Sequence, residues 1–117
     1  MPLFVDDATW EPDFAWMDDA TRSLAAHLTP NTLISYETTL PVGTLRGRFK
    51  PMIEEISGLK EGTDFHLVFS PERVLTGRVF ADLRRYPKLV GGLDEAGTQA
   101  GIAFYESVLD FDERDDL

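Results

Sequence analysis

The chain contains no cysteine among its 117 residues. Disulfides, thiolate metal sites and a cysteine nucleophile are therefore excluded within it. It also lacks an apolar run near the roughly 20 residues that a membrane-spanning helix needs, so no membrane partner is expected. The first seven residues carry no basic side chain and no long apolar stretch. A secretory signal is therefore not expected, and a cytoplasmic location is the simplest expectation.

Basic residues are scarce, with 11 Lys and Arg against 21 Asp and Glu and a net charge of −10. A field of this sign repels phosphate backbones, so nucleic acid is not an expected partner. The acidic residues concentrate at residues 6–19 and 110–116, and such runs favour a solvated loop and tail over a binding site. The length and the 43% hydrophobic share are typical of one globular domain.

Hydrophobic periodicity predicts alternating helices and strands after a loop at residues 1–12. Asp13 is expected to cap the first helix, and Pro51 is expected to kink the second. The predicted order is helix 14–28, strand 32–37, helix 44–56, strand 64–69, helix 79–85, strand 88–90 and a last helix from 94 or 95. This alternation indicates an α/β fold with a short, mainly parallel sheet and flanking helices. The strands are apolar on both faces and would leave two open edges, which suggests that more sheet belongs beside them.

Three segments carry a family resemblance, each at the end of a predicted strand. They are residues 37–44 (ETTLPVGT), 69–77 (FSPERVLTG) and 87–92 (PKLVGG). In this order and at this spacing they resemble the UDP-glucose/GDP-mannose dehydrogenase family of nucleotide-sugar dehydrogenases. The resemblance implies that residues 1–117 form the second half of a Rossmann-like, doubly wound NAD-binding domain. The Gly-x-Gly-x-x-Gly half and the C-terminal domains, with the family's catalytic lysine, asparagine, cysteine and aspartate, are expected to be absent.

The activity implied by this resemblance is NAD-dependent oxidation of a sugar primary alcohol in a UDP-sugar to a carboxylate. The cofactor is NAD, the substrate partner is the nucleotide sugar, and the full-length enzyme is expected to be a homo-oligomer. The isolated chain is expected to be inactive, because it lacks the cysteine that holds the aldehyde stage. The alternative is a non-catalytic, self-associating or binding module derived from a dehydrogenase half-domain.

Two residues are the catalytic candidates that the resemblance implies. Thr39 would contact NAD and help to position a water, and Glu72 would lie near the nicotinamide and the reacting sugar. Thr38 would join them in binding the cofactor. The alternative for Thr39 is a hydroxyl bonded to nearby backbone in a turn. The alternative for Glu72 is a surface ion pair with Arg73 or Arg78.

The substrate-binding candidates by resemblance are Arg73, Val74 and Leu75, which would follow the sugar nucleotide partly through backbone groups. Thr76 stands where the UDP-glucose and GDP-mannose branches often carry a second glutamate. This departure moves the expected substrate toward UDP-N-acetylhexosamines. Glu37 is a weaker candidate for lining the cofactor cleft.

The remaining polar and aromatic residues receive structural interpretations. Lys88 is expected to be structural or exposed, and is not equated with the family's catalytic lysine. Two isolated histidines, His27 and His66, do not predict a metal site because no carboxylate lies at a ligand spacing from them. Trp10 and Trp16 are expected to be packing residues.

Overall fold

The computed structural model describes residues 3–109, so the acidic run at 110–116 lies outside the described residues. The helices are α1 (Ala15–Ala26), α2 (Lys50–Ser57), α3 (Val79–Arg85) and α4 (Glu95–Val108), and a π-helical turn covers Leu45–Phe49. The strands are β1 (Phe4–Val5), β2 (Pro12–Asp13), β3 (Thr32–Tyr36), β4 (Phe65–Phe69) and β5 (Gly91–Gly92). Among residues 3–109, no helix combines the length and the apolar character needed to cross a membrane.

The main sheet has the order β3-β4-β5. Strands β3 and β4 are parallel from the Thr32–Phe65 pair to the Tyr36–Phe69 pair, and β5 lies antiparallel to β4. The predicted α/β fold with a mainly parallel sheet is therefore confirmed, because the parallel ladder is the longer one. Helices cover both faces of the sheet, as the apolar strands predicted.

The side chains of β4 alternate between two packing layers. Phe65 and Leu67 belong to the core that α1, α2 and the π-helical turn build on one face. His66 and Val68 lie on the other face, close to the glycines of α4. The core consists of Met17, Ala25, Ile34, Leu45, Phe49, Ile53, Phe65 and Leu67.

The segment around Pro51 is irregular, as the sequence indicated, but it is more than a kinked helix. The Lys50 N–H bonds to the Leu45 carbonyl, five residues back, in a wide π-helical turn. Because proline has no N–H to donate, the regular α-helix begins around it, and Pro51 lies in the first turn of α2. The helix ends at Gly58, which has the left-handed conformation (φ 72°) that glycine adopts without a Cβ penalty.

The N-terminal segment, predicted to be a loop, contains a small hairpin of β1 and β2. The carboxylate of Asp6 accepts bonds from the Thr9 and Ala8 N–H groups, and these bonds lower the pKa of Asp6. The packing expectation for Trp10 is wrong, because its side chain is 83% exposed at the turn. Asp13 does bond to the first N–H of α1, that of Ala15 at 3.0 Å.

Two predictions about the C-terminal part are wrong in detail. The third strand is Gly91–Gly92 rather than residues 88–90, because the carbonyl of Leu89 accepts the Ser70 hydroxyl at 2.6 Å instead of a ladder bond. In α4, the helical spacing of Ala96, Ala100, Ala103, Phe104, Ser107 and Val108 predicts that these residues form the buried stripe. It instead consists of Gly97, Gly101 and Tyr105, because the missing side chains of the glycines let the helix approach the sheet closely.

Candidate functional site

The carboxyl ends of β3 and β4 form one continuous edge. Beyond the strands, the Ser70 N–H donates to the Tyr36 carbonyl and the Glu72 N–H donates to the Glu37 carbonyl, each at 2.9 Å. The parallel ladder therefore extends into both following loops. The loops that carry Thr39 and Glu72 leave the sheet from neighbouring points.

Lys88 lies between these two strand ends. Its Nζ is 3.4 Å from Oε1 of Glu37 and 3.8 Å from Oε2 of Glu72. The ammonium also lies 4.8 Å from the centre of the Tyr105 ring, a cation–π distance. The Lys88 side chain is only 9% exposed, which agrees with the structural alternative of the prediction and not with the exposed one.

Tyr105 reaches the same point from α4 on the face behind the strands. Its hydroxyl donates to Oε1 of Glu37 at 2.6 Å and lies 2.6 Å from the Ser35 hydroxyl. Burial is the main cause that raises the pKa of Tyr105, and the bond to Glu37 adds to it. Sequence reasoning missed Tyr105 because the buried stripe of α4 was assigned to other residues. The glycines at 97 and 101, four residues apart and four before the tyrosine, were the signal available.

The two carboxylate oxygens of Glu72 have different partners. Oε1 accepts bonds from the Arg73 N–H at 2.8 Å and the Val74 N–H at 3.1 Å. Oε2 faces Lys88. Sequence reasoning left open a pairing of Glu72 with Arg78, whereas the structure pairs Arg78 with Asp82 at 3.3 Å.

A buried carboxylate in α3 holds the loop that follows Glu72 by a hydrogen bond to its backbone. Asp82 in α3 has a side chain with 0% exposure, and its Oδ2 accepts the Leu75 N–H at 2.9 Å. The Arg78 N–H in turn donates to the Leu75 carbonyl at 3.0 Å. The loop therefore presents Arg73 and Leu75 at the surface and leaves Val74 half-buried.

Two clefts lie beside the strand ends. Thr38 is half-buried and lines the first, a space of about 300 Å³ between α1 and the outer edge of β3. The second, about 280 Å³, is lined by Leu40 and the loop that follows it, together with Phe69 and Leu93. Thr39, which lies between Thr38 and Leu40 in the chain, is exposed. The structure thus brings Glu72, which follows β4, next to Glu37, which follows β3. Thr38 and Thr39 continue the chain directly after Glu37.

His66 has carboxylate neighbours that the sequence spacing did not reveal. Glu61, His66 and Asp94 offer ligand atoms within 4.8 Å of one another. However, Asp94 Oδ1 accepts the Gly97 N–H at 2.7 Å as the cap of α4, and Glu61 Oε1 accepts the Leu67 N–H at 3.2 Å. One oxygen of each carboxylate therefore bonds to the backbone, and the His66 Nδ1 between them is buried without a hydrogen-bond partner.

Comparison with known proteins gives one consistent match. Residues 3–109 match the family model described as UDP-glucose/GDP-mannose dehydrogenase family, NAD binding domain. UDP-N-acetyl-D-mannosamine dehydrogenase from Pyrococcus horikoshii is 33% identical over 106 residues, covering 91% of this chain and 24% of its own length. The enzyme of that name from Escherichia coli K12 is 27% identical, covering 86% of this chain and 25% of its own.

Solved structures agree with these sequence matches. The dehydrogenase structure from Pyrococcus horikoshii superposes with a TM-score of 0.87 at 28% identity, over 95% of this chain and 26% of its own. The NDP-N-acetyl-D-galactosaminuronic acid dehydrogenase of Methanosarcina mazei gives 0.80 at 42% identity, over 85% and 21%. The chain spans about a quarter of the length of the curated relatives it matches.

Proposed function

Because the chain belongs to the UDP-glucose/GDP-mannose dehydrogenase family, we propose that it is a segment of an NAD-dependent nucleotide-sugar 6-dehydrogenase. The whole enzyme oxidises the primary alcohol of a UDP-sugar to a carboxylate. Residues 1–117 supply part of the NAD-binding domain in this proposal, and the phosphate-binding Gly-x-Gly-x-x-Gly half and the catalytic domain come from further polypeptide. The enzyme works in the cytoplasm as a homo-oligomer.

The observation that carries the proposal is the meeting of two strand ends at one edge of a parallel sheet. In doubly wound sheets, dinucleotides bind outside the carboxyl ends of the strands. The tips of β3 and β4 meet there through the bond between Glu72 and Glu37. NAD, which accepts the hydride when bound, lies across these tips in the proposal, with Thr38 and Thr39 against it and Glu72 near its nicotinamide end.

The substrate proposed is a UDP-N-acetylhexosamine, bound beside the loop that presents Arg73, Val74 and Leu75. Two observations support this choice. Thr76 replaces the second carboxylate of the UDP-glucose and GDP-mannose branches, and the relatives compared above are named as dehydrogenases of N-acetylated sugars. The aldehyde stage needs a cysteine thiolate as nucleophile, which these 117 residues do not contain.

The test begins with the DNA that flanks the coding region. The proposal expects a Gly-x-Gly-x-x-Gly unit after a strand upstream, and a region with a cysteine downstream. The longer protein should reduce NAD+ with UDP-N-acetylhexosamines, measured as NADH absorbance, and the 117-residue chain alone should show no turnover. Flanking sequence without these features, or clear NAD+ reduction by the chain alone, would contradict the proposal.

A second candidate function is a self-associating or binding module without catalysis. The observation in its favour is the outer edge of β3, which no strand among residues 3–109 covers and which has the 300 Å³ cleft beside it. The surface of α1 on this cleft includes Ala20 and the exposed side chain of Leu24. A second copy of the chain can cover such an edge, and sedimentation at rising protein concentration tests for this association.

A further inference from the structure

We propose that Lys88 is a positioning residue, which holds the carboxylates of Glu37 and Glu72 side by side and thereby fixes the loop at Arg73 and Val74. The catalytic consequence of this role rests on the proposed function. The positioning itself does not, because it follows from contacts within the described residues.

The backbone brings two like charges together at the strand tips. The bond between the Glu72 N–H and the Glu37 carbonyl forces both side chains to leave from adjacent points. Two carboxylates that leave from adjacent points repel each other, and the repulsion grows where water is partly excluded. The ammonium of Lys88, within 4 Å of an oxygen of each, is the cation that offsets this repulsion.

The position of Lys88 is fixed before any ligand arrives. The adjacent carbonyl, that of Leu89, accepts the Ser70 hydroxyl at 2.6 Å, and the Lys88 Nζ lies 3.5 Å from the Ser70 carbonyl. The ring of Tyr105 covers the ammonium from another side. A lysine whose side chain is only 9% exposed needs partners for its charge, and these are the partners that the fold supplies.

The consequence for Glu72 is a defined orientation. Its Oε1 is occupied by the Arg73 and Val74 N–H groups, so Oε2 is the oxygen that remains to face Lys88. Lys88 sets the direction of Oε2 and, through the rigid carboxylate plane, the direction of the two amides. The same lysine therefore organises both the candidate catalytic carboxylate and the start of the candidate substrate loop.

The first experiment uses the 117-residue chain and NMR spectroscopy. Lys88→Met should move the amide resonances of Arg73 and Val74 toward those of an unstructured peptide, and Lys88→Arg should largely retain them. Lys60→Met removes the same charge from an exposed site and should leave both resonances unchanged. Wild-type resonances for Arg73 and Val74 in a folded Lys88→Met variant would overturn the proposal.

A second probe covers the case in which Lys88→Met does not fold. Glu72→Gln keeps an acceptor for the two amides but removes the charge that faces Lys88. The ¹⁵Nζ resonance of Lys88 should therefore shift, and a resonance at its wild-type position would show that the contact does not exist.

The catalytic arm uses the longer enzyme of the proposed function. Lys88→Met should lower kcat/KM on the order of 10–100-fold, since a misplacement of about 1 Å costs this much. Lys88→Arg should recover part of the loss, and Lys60→Met should match wild type. Changed amide resonances with unchanged kinetics would refute the catalytic consequence alone. Unchanged amide resonances would refute the positioning itself, whatever the enzyme does.

Discussion

At the scale of single residues, the informative groups are polar side chains that the fold buries. Tyr105 and Tyr36 both have raised pKa values, chiefly because burial disfavours the charged phenolate. Asp82 is buried as well, but it holds a backbone N–H and an arginine. None of these roles could be predicted from the sequence, since each depends on partners that are distant or on the turn that the loop makes.

The first prediction concerns alkaline pH. The phenol of Tyr105 ionises at about 10 in the unfolded chain and at a higher pH in the folded one. Its contribution to stability is therefore complete below about pH 10 and is lost as the pH rises through the folded pKa. Wild type should lose thermal stability above about pH 10 more steeply than Tyr105→Phe, with Tyr36 causing the remaining decline.

The measurement is the melting temperature followed by circular dichroism over that pH range. Tyr86→Phe, at the surface, is the matched control and should keep the wild-type slope. Equal slopes for wild type and Tyr105→Phe would refute this account of the Tyr105 environment.

The second prediction concerns Asp82. Asp82→Ala leaves the Leu75 N–H without its partner and should lower the free energy of unfolding by about 1–3 kcal/mol. Asp82→Asn keeps an acceptor and should lose less. Urea unfolding measures both, and Asp19→Asn is the control because its carboxylate is exposed and should change stability by less than about 0.5 kcal/mol. An Asp82→Ala loss no larger than the control's would contradict the anchoring role.

At the scale of elements, the sequence predicted α1, β3, β4 and α3 because hydrophobic period and turn residues agree there. It failed where short-range signals conflict with tertiary contacts. The sequence of residues 88–90 predicted a strand, but the Leu89 carbonyl accepts the Ser70 hydroxyl. In α4, the spacing of the alanines and Phe104 predicted that they face the sheet. The face that packs on the sheet instead contains Gly97 and Gly101, whose missing side chains allow the close approach.

The third prediction tests this close approach at β5. A Cβ added at Gly92 would lie 2.4 Å from the Thr98 nitrogen and 2.7 Å from the Gly97 carbonyl carbon, both of them backbone atoms. Gly92→Ala should therefore destabilise the fold by about 1–3 kcal/mol or more, as overpacking does. Gly47→Ala meets nothing within 4 Å and should be neutral or stabilising by up to about 1 kcal/mol. Chemical denaturation of the two alanine variants distinguishes them, and similar midpoints would refute the packing argument.

At the scale of the whole molecule, the described fold is flat, with extents of 44 × 40 × 21 Å. Its radius of gyration is 15.5 Å, whereas a compact domain of this length has about 13 Å. The sequence predicted strands that are apolar on both faces, and the further sheet expected beside them stays a prediction. The position of the candidate site at the tips of β3 and β4 was also predictable from the motifs, but the lysine at its centre was not.

The fourth prediction is that the isolated chain associates through the outer edge of β3. Sedimentation should show a concentration-dependent shift to a larger species. Leu24→Lys places a charge in the groove beside β3 and should weaken association about tenfold or more, since burying a leucine contributes about 1.5–3 kcal/mol. Leu89→Lys alters an exposed leucine of similar accessibility and is the control. A monomer at all concentrations would exclude self-association through this edge.

The hydrogen bond between the Glu72 N–H and the Glu37 carbonyl has a mechanical consequence. It ties together the roots of two loops that are 35 residues apart in the chain. A molecule that pulls the first loop outward strains this tie and drags the second loop with it. We therefore expect a displacement at Thr39 to be accompanied by a displacement at Arg73.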